Sequence, residues 1–486
     1  MMKYIKSFLI ITILSFTVSS CVDFSTDLDV PNKENPNDDI LTSDPVALTA
    51  SASSILHNWF MTIHNYYGPG GAMKTMADVA TCSWGNMGMK DLSSEPRVAF
   101  NNKSSYGNNV TNSYFNSLYS VLNDANTLVA AVNKGTEFDD PDLVLAIGRV
   151  GQAFSIGYLA LVFDRVWVSN EDGVVGDGPM NYKDAMIFAL EKLDEAIQIV
   201  QDRGVSLPDT WLPGGNGDSE TFGKFLNSMW ARMHVGNVRN KKQRDSDINW
   251  KQVLAHTEKG LTSDFEIYMD DVNWYDLVPK TYLVYPGWAR VDMRIVHMMD
   301  PNMPDYWPAD AVTLPEATSQ DARLKTDYQY LSQNNFRPNR GTYHFSNYRY
   351  SRYDEYITVW TTNVTEYEKA ENDMYKAEAL MYLGKLGAAA DVINQSTRIT
   401  RGQLPPVSVD AQEIKDAIFY ERMVEFAFTT IGISFFEMRK EDLLQKGTLL
   451  HFPIPGKALE AIPEDYYTYG GDQGVPGEDV SNGGWR

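Results

Sequence analysis

The sequence predicts a mainly α-helical scaffold of helical hairpins carrying loop-rich insertions with small local β elements. Apolar residues recur at helical spacing in long stretches, glycines separate helix pairs, and two long regions break the periodicity. In 181–203, Tyr182, Ala185, Met186, Ala189, Leu190, Leu193, Ala196, Ile197 and Val200 fall at alternating steps of three and one. That spacing lays one continuous apolar stripe along a helix. Segments 109–134, 143–168, 219–238, 249–261, 366–385, 387–400 and 410–430 read likewise. Gly384 and Gly387 separate two of them, so 366–385 and 387–400 are expected to form an antiparallel hairpin. Helix pairs of this size are similar to tetratricopeptide repeats, although no roughly 34-residue self-similarity is visible.

The two exceptions are residues 66–108, rich in Gly, Asn, Ser and Met, and 264–360, rich in Tyr, Trp, Pro and Asn. Both exceed ordinary connections, and such insertions usually hold a site or small local sheets. The helices are therefore expected to be scaffold and the insertions the functional face.

The chain starts with Lys3 and Lys6, followed by an uncharged, mostly apolar run from Phe8 to Ser20. This is the layout of a secretory signal peptide. It falls short of the roughly 20 apolar residues that a spanning helix needs, and no later run approaches that length. Val18-Ser19-Ser20-Cys21 resembles a bacterial lipobox, which implies cleavage after residue 20 and acylation of Cys21, palmitate included. Residues 21–43 then form the lipid anchor and a polar, acidic tether, and 44–486 a single domain. In the tether Asp23, Asp27, Asp29, Asp38 and Asp39 suggest calcium, but the glycine and terminal glutamate of an EF-hand are missing. A solvated linker is the expectation, with no cofactor.

The formal charge is −22, and removal of 1–20 moves it to about −24 because only Lys3 and Lys6 are lost. Such a chain repels nucleic acid and anionic lipid, so the membrane would be held through the lipid. Cys82 is the one mature thiol besides the anchor, so no internal disulfide is available.

Motifs of catalysis are missing from the sequence: no phosphate-binding glycine loop, no G-x-S-x-G and no H-E-x-x-H. His57 and His64, two helical turns apart, read as surface or core residues rather than metal ligands. In 410–428, Glu421, Arg422 and Glu425 lie beside an apolar stripe of Ile414, Ile418, Val424 and Phe428. Charges there must be paired, and an ion pair locking this helix is expected rather than a catalytic acid.

The stretch Ala417-Ile418-Phe419-Tyr420-Glu421-Arg422-Met423-Val424-Glu425-Phe426, with Gly432 and Phe435-Phe436-Glu437-Met438-Arg439, resembles the C-terminal signature of the SusD/RagB family. Ser434 stands where that pattern has Arg, and Glu437 where it has Asp, which indicates a divergent branch. Ala377 to Gly384 with Ala388 to Arg401, Phe452-Pro453-Ile454-Pro455 and Asp321-Ala322-Arg323 resemble further family elements in the same order. The resemblance implies an outer-membrane, surface-facing lipoprotein that binds a nutrient without being an enzyme. It also implies a SusC/RagA-type TonB-dependent transporter as partner, and Asp23 fits the surface-export signals of such lipoproteins.

The expected ligand is an oligosaccharide, with peptide or another nutrient as alternative and an exported glycoside hydrolase as rival. The insertions carry Trp84, Trp274, Trp288, Trp307, Tyr66, Tyr67, Tyr282, Tyr285 and Tyr306. Flat rings offer apolar area at little rotamer cost, and sugar C–H faces pack on them. Trp84, Trp288 and Trp307 are the candidate stacking surface, with Asn86 and Arg290 as polar partners, while Trp230 and Trp250 are expected in the core.

Overall fold

The computed structural model describes residues 43–82, 87–174, 176, 178–276, 285, 289–333, 345–429, 431–462 and 464–485. The expected signal segment, Cys21, the tether up to residue 42, and Trp84, Asn86, Tyr282 and Trp288 lie outside the described residues.

The scaffold helices are α1 (Pro45–Ile63), α2 (Ser105–Asn133), α3 (Pro141–Val162), α4 (Tyr182–Arg203), α5 (Ser219–Gly236), α6 (Trp250–Glu258), α7 (Lys369–Tyr382), α8 (Leu386–Asn394), α9 (Ala411–Val424) and α10 (Ile433–Lys440). Short polar side chains set many of their starts. Asp44, Ser104, Asp140, Asn181, Asp218 and Asp410 each accept hydrogen bonds from first-turn amides, satisfying donors that have no intrahelical partner. Gly384, at φ +73°, ends α7 and lets the chain reverse into α8; the predicted hairpin is present.

Some boundaries differ from the periodicity. The expected 143–168 helix stops at Val162, because Phe163 turns extended and leads into a strand. The expected 387–400 helix breaks after Asn394, and Thr397–Thr400 is a separate turn. Helix α1 was not among the expected helices, although Leu48, Ala52, Ile55, Leu56, Trp59, Phe60 and Ile63 recur at helical spacing and form its buried face.

Successive helices pack as antiparallel neighbours around α3. A Cβ at Gly148 would lie 2.7 Å from Val129, and one at Gly151 2.7 Å from Ala125 and 3.0 Å from Ile55. Glycine therefore permits the close approach of α3 to α2 and α1. Contrary to the expectation that no later run reaches membrane length, α3 is long and apolar enough. It is nonetheless the core helix of this scaffold, and 89% of its apolar window is buried.

The strands are short antiparallel pairs. β1 (Ala80–Cys82) pairs with β5 (Ala289–Val291), β2 (Arg165–Val166) with β3 (Met180–Asn181), β4 (Phe265–Met269) with β8 (Thr362–Tyr367), and β6 (Tyr328–Tyr330) with β7 (Tyr348–Tyr350). The β1–β5 pair joins the two insertions. Trp230 is buried and stacks on His256, with centroids 4.0 Å apart; Trp250 is half-buried and stacks on Tyr382.

Charged residues hold the insertion to the helices. The fully buried Arg323 guanidinium donates to Asp321 (2.8 Å), Glu421 (2.7 and 2.8 Å) and Glu425 (2.8 Å). Glu425 also receives Arg352 and Arg401, while Arg401 holds Asp327 and Arg352 holds Glu368. Glu421 and Glu425 are thus tied into an ion-pair lock, as expected. Burial alone would raise the Glu425 carboxyl, yet Arg352, Arg323 and Arg401 hold it below the usual range. Glu368 is pushed up to about 7, burial outweighing Arg352. Arg422 joins Glu378 and Glu437 at 2.7 and 2.6 Å, and Lys440 reaches the same two. Glu378, Glu437 and Glu441 stand close enough to ligate a metal, but Arg422, Lys440, Arg244 and Lys415 already pair with them.

At the end of α1, His64 is buried between Asp276 (3.1 Å) and Glu366 (2.6 Å). Burial lowers its pKa, but the two carboxylates overcome that and raise it to about 9. His57 makes different contacts, to Asn58 and the Asn273 carbonyl.

Removing one partner of a buried ion cluster strands the other charges, at roughly 3–5 kcal/mol. Arg323→Met should therefore lose about 3–5 kcal/mol in urea unfolding followed by circular dichroism. His64 has a folded pKa above its unfolded value, so its stabilisation is complete below about pH 6.5 and fades as pH rises through 9. The stability gap between wild type and His64→Gln, measured by urea unfolding at pH 6, 7.5 and 9.5, should shrink at each step.

Candidate ligand-binding face

The register Thr81↔Arg290 and Cys82↔Ala289 brings residues 81–82 beside 289–290. Arg290 is buried in this ribbon, where its Nη1 donates to the Ala289 carbonyl at 3.1 Å. Its Nε has no hydrogen-bond partner among the described residues. Burial, and then the neighbouring Arg349 charge, lower the Arg290 pKa.

Ser346 ties the next stretch to this ribbon by donating to the Val291 carbonyl at 2.5 Å. The adjacent Phe345 meets the Trp307 ring edge-on, with centroids 4.8 Å apart. Trp307 is half-buried and its indole N–H donates to the Ala311 carbonyl at 3.0 Å. Segment 345–346 thus connects the surroundings of Arg290 and Trp307. Tyr306 donates to Glu95, a second link between the insertions. Trp274, by contrast, is buried against His57 and Phe60 and fastens its insertion to α1.

Where α1 ends, the first insertion presents two tyrosines side by side. The rings of Tyr66 and Tyr67 are 4.1 Å apart, and Tyr67 is 41% exposed. Asn65 fixes this turn by accepting the Tyr67 amide proton at 2.9 Å. Beside them, α1 and α2 part to leave a slot of about 260 Å³. Asn58, Thr62 and Asn65 line one wall, Ser113, Ser117 and Ser120 the other, with Tyr67 at the mouth and Tyr114 inside. Such a slot offers hydroxyl and amide groups that both donate and accept, next to an aromatic platform. A larger recess of about 510 Å³ lies where residues 298–302 and 318–320 meet α9, with Tyr420 and Arg398 in its lining. It has no exposed ring pair.

The slot's polar residues were not among the sequence candidates, although each wall has a trace in the chain. Asn58, Thr62, Asn65 and Ser113, Ser117, Ser120 repeat at steps of four and three, which aligns each trio on one helix face. Read one helix at a time, such a trio looks like an ordinary solvated face.

No protein-family model matches this sequence, and a search of curated proteins finds no match. Solved structures do match. A SusD superfamily protein from Bacteroides vulgatus is 15% identical with a TM-score of 0.59, covering 87% of this chain and 98% of its own. A surface glycan-binding protein A from Bacteroides uniformis is also 15% identical, with a TM-score of 0.57 over 88% of this chain and 98% of its own. A SusD-like carbohydrate-binding protein from Bacteroides fragilis is 14% identical, with a TM-score of 0.54 over 90% and 96%. At these identities the likeness establishes architecture: this chain has the SusD-like fold.

Proposed function

We propose that this protein is a non-catalytic receptor that binds an oligosaccharide on its insertion face. Acyl chains on Cys21 hold it at the outer membrane, and it passes its ligand to a SusC/RagA-type TonB-dependent transporter. The single observation that carries the binding role is the ring pair of half-buried Tyr66 and exposed Tyr67 beside a slot lined largely by amides and hydroxyls. Sugar rings need that combination, an apolar platform with flanking groups that exchange hydrogen bonds with hydroxyls. Trp307 extends the aromatic surface within the second insertion. In this reading Trp84, Trp288, Asn86 and Arg290 contribute from the two insertions.

Carbohydrate or glycan binding by two proteins of the same fold supports this reading. The ion-pair lock supports a binder over a hydrolase. A glycosidase needs two carboxyls flanking the scissile bond, whereas Glu421 and Glu425 are buried and saturated by Arg323, Arg352, Arg401 and Thr397.

Calorimetry against plant and microbial oligosaccharides and an oligopeptide mixture would identify the ligand class. Saturable binding to a glycan without product is expected; binding confined to peptides would overturn the sugar assignment, and turnover would overturn the receptor. Each ring lost contributes about 0.5–1.5 kcal/mol, so Tyr66→Ala/Tyr67→Ala should weaken binding roughly tenfold to a hundredfold. Trp84→Ala/Trp288→Ala/Trp307→Ala should do likewise; unchanged affinity with the fold intact would remove those three from the site. Cys21→Ala should move the protein from the membrane fraction to the soluble fraction, and should abolish co-purification of the transporter from detergent extracts of intact membranes.

A further inference from the structure

Most buried guanidiniums of this protein meet carboxylates, as those of Arg97, Arg232, Arg244, Arg323, Arg349 and Arg422 do. Arg239 and Arg439 instead collect several backbone carbonyls each. Arg290 has neither. It is 3% exposed, its Nη1 donates only to the adjacent Ala289 carbonyl, and no carboxylate pairs with it among the described residues. Its Nε is sealed and unpartnered, whereas Nη2, also without a hydrogen bond among the described residues, is not sealed from solvent. A guanidinium keeps its charge at any ordinary pH, and a buried charge needs a counter-charge. An anion from outside the protein is therefore the partner that fits.

The chain around Arg290 supplies no carboxylate. Strand β5, which carries it, pairs with β1 and packs against β7. The stretches that include these strands, 79–90, 277–291 and 328–353, contain no Asp or Glu in a sequence that has 64 of them. Besides Arg290 they carry Lys90, Lys280, Arg337, Arg340, Arg349 and Arg352. Asp292, the next acid along the chain, caps the following turn by accepting the Arg294 amide proton at 2.8 Å. On β7, Arg349 adds a second positive charge, and Asp354 is committed to it, accepting from Nη1 and Nη2 at 2.7 and 2.5 Å.

Ser346, bonded to the Val291 carbonyl, adjoins the Phe345 ring that meets Trp307, so Arg290 belongs to the insertion face. A ligand held there by its sugar rings would satisfy the guanidinium by bringing one negative oxygen. Charge-assisted hydrogen bonds are roughly twice as strong as neutral ones, so this contact would separate charged glycans from neutral ones. We infer that Arg290 selects an acidic oligosaccharide, whose uronate carboxylate or sulfate ester accepts from Nη2. This inference rests on the proposed glycan-binding role and adds a charge to its ligand.

Calorimetry on the mature chain tests it with oligosaccharide fragments of pectin, alginate and carrageenan, set against fragments of galactan, xylan and starch. Each acidic binder is remeasured after methyl esterification of its carboxyls or removal of its sulfates, and the treatment that weakens it identifies the anion. Neutralising the anion should weaken binding about tenfold to a hundredfold, the contribution of one hydrogen bond to a charged group. Arg290→Gln should weaken the acidic fragments by the same factor and leave their neutralised forms unchanged. The ligand arm uses the wild-type chain, so it decides even where Arg290→Gln does not fold. The proposal falls if the tightest binder is a neutral fragment, if the neutralised forms bind as well as the acids, or if folded Arg290→Gln binds the acids like wild type. In those outcomes the receptor role survives; absence of binding to every fragment would overturn both.

Discussion

The Arg323 guanidinium is the point on which the arrangement of this protein depends. Asp321 and Arg323 come from within the long insertion, whereas Glu421 and Glu425 come from α9 and the turn that follows it. Arg352 adds the insertion's other flank, and Arg401 the turn after α8. Three guanidiniums therefore face five carboxyls, Asp321, Asp327, Glu368, Glu421 and Glu425, all five buried, while Arg352 and Arg401 stay partly open to solvent. The excess acid is accommodated by Glu368, whose carboxyl is pushed up to about 7 and so carries a proton for part of the time at neutral pH. Replacing any member strands a neighbour's charge, so the cluster fixes geometry more than it adds net stability. Its consequence for function is positional: the insertion is fastened to the helices at two places, around Arg323 and at Arg352.

A second constraint works without carboxylates. Arg439 donates to the carbonyls of Leu161, Gly236, Val238 and Leu450, and Arg239 to those of Ala160, Phe163 and Asn237. All but that of Leu450 are carbonyls at or just past the ends of α3 and α5, and the negative ends of two helix dipoles compensate the two cations. Burial, with the other arginine close by, still lowers the Arg439 pKa. Because Leu450 shares in this cap, the C-terminal stretch is registered against the helix ends.

What could be read from the chain divides along physical lines. The stripe in 182–203 was legible because a surface helix must keep one apolar face, and the pairing of Glu421 and Glu425 was legible because buried charge needs a partner. Helix α1 carries the same kind of spacing from Leu48 to Ile63, but the small residues Ala50 to Ser54 dilute it, and it was not among the expected helices. The apolar length of α3 is ambiguous on its own; only its envelopment by α1, α2, α4 and α5 shows it to be core. Among candidate site residues, Arg290 was found as a polar group in an insertion, but its burial within a two-strand ribbon depends on β1, some 200 residues away in the chain. The slot depends on two helices presenting small polar residues to each other, a relation that no single segment encodes.

That last point bears on how the face acquires selectivity. Slot walls on α1 and α2 are fixed by the packing of Gly148 and Gly151 against Val129, Ala125 and Ile55, so the width between Asn58 and Ser117 is set by the core. The tyrosine pair is set separately, by the Asn65 turn and by His64, whose charge is held between Asp276 and Glu366. A substitution at Asn65 alters both the turn and one slot wall, whereas one at Ser113, Ser117 or Ser120 changes the slot's donors on α2 without touching the turn that holds the rings. In the proposed receptor, a polar wall on α2 that is independent of the Asn65 turn would let ligand preference change by small steps while the ion-paired scaffold beneath stays the same.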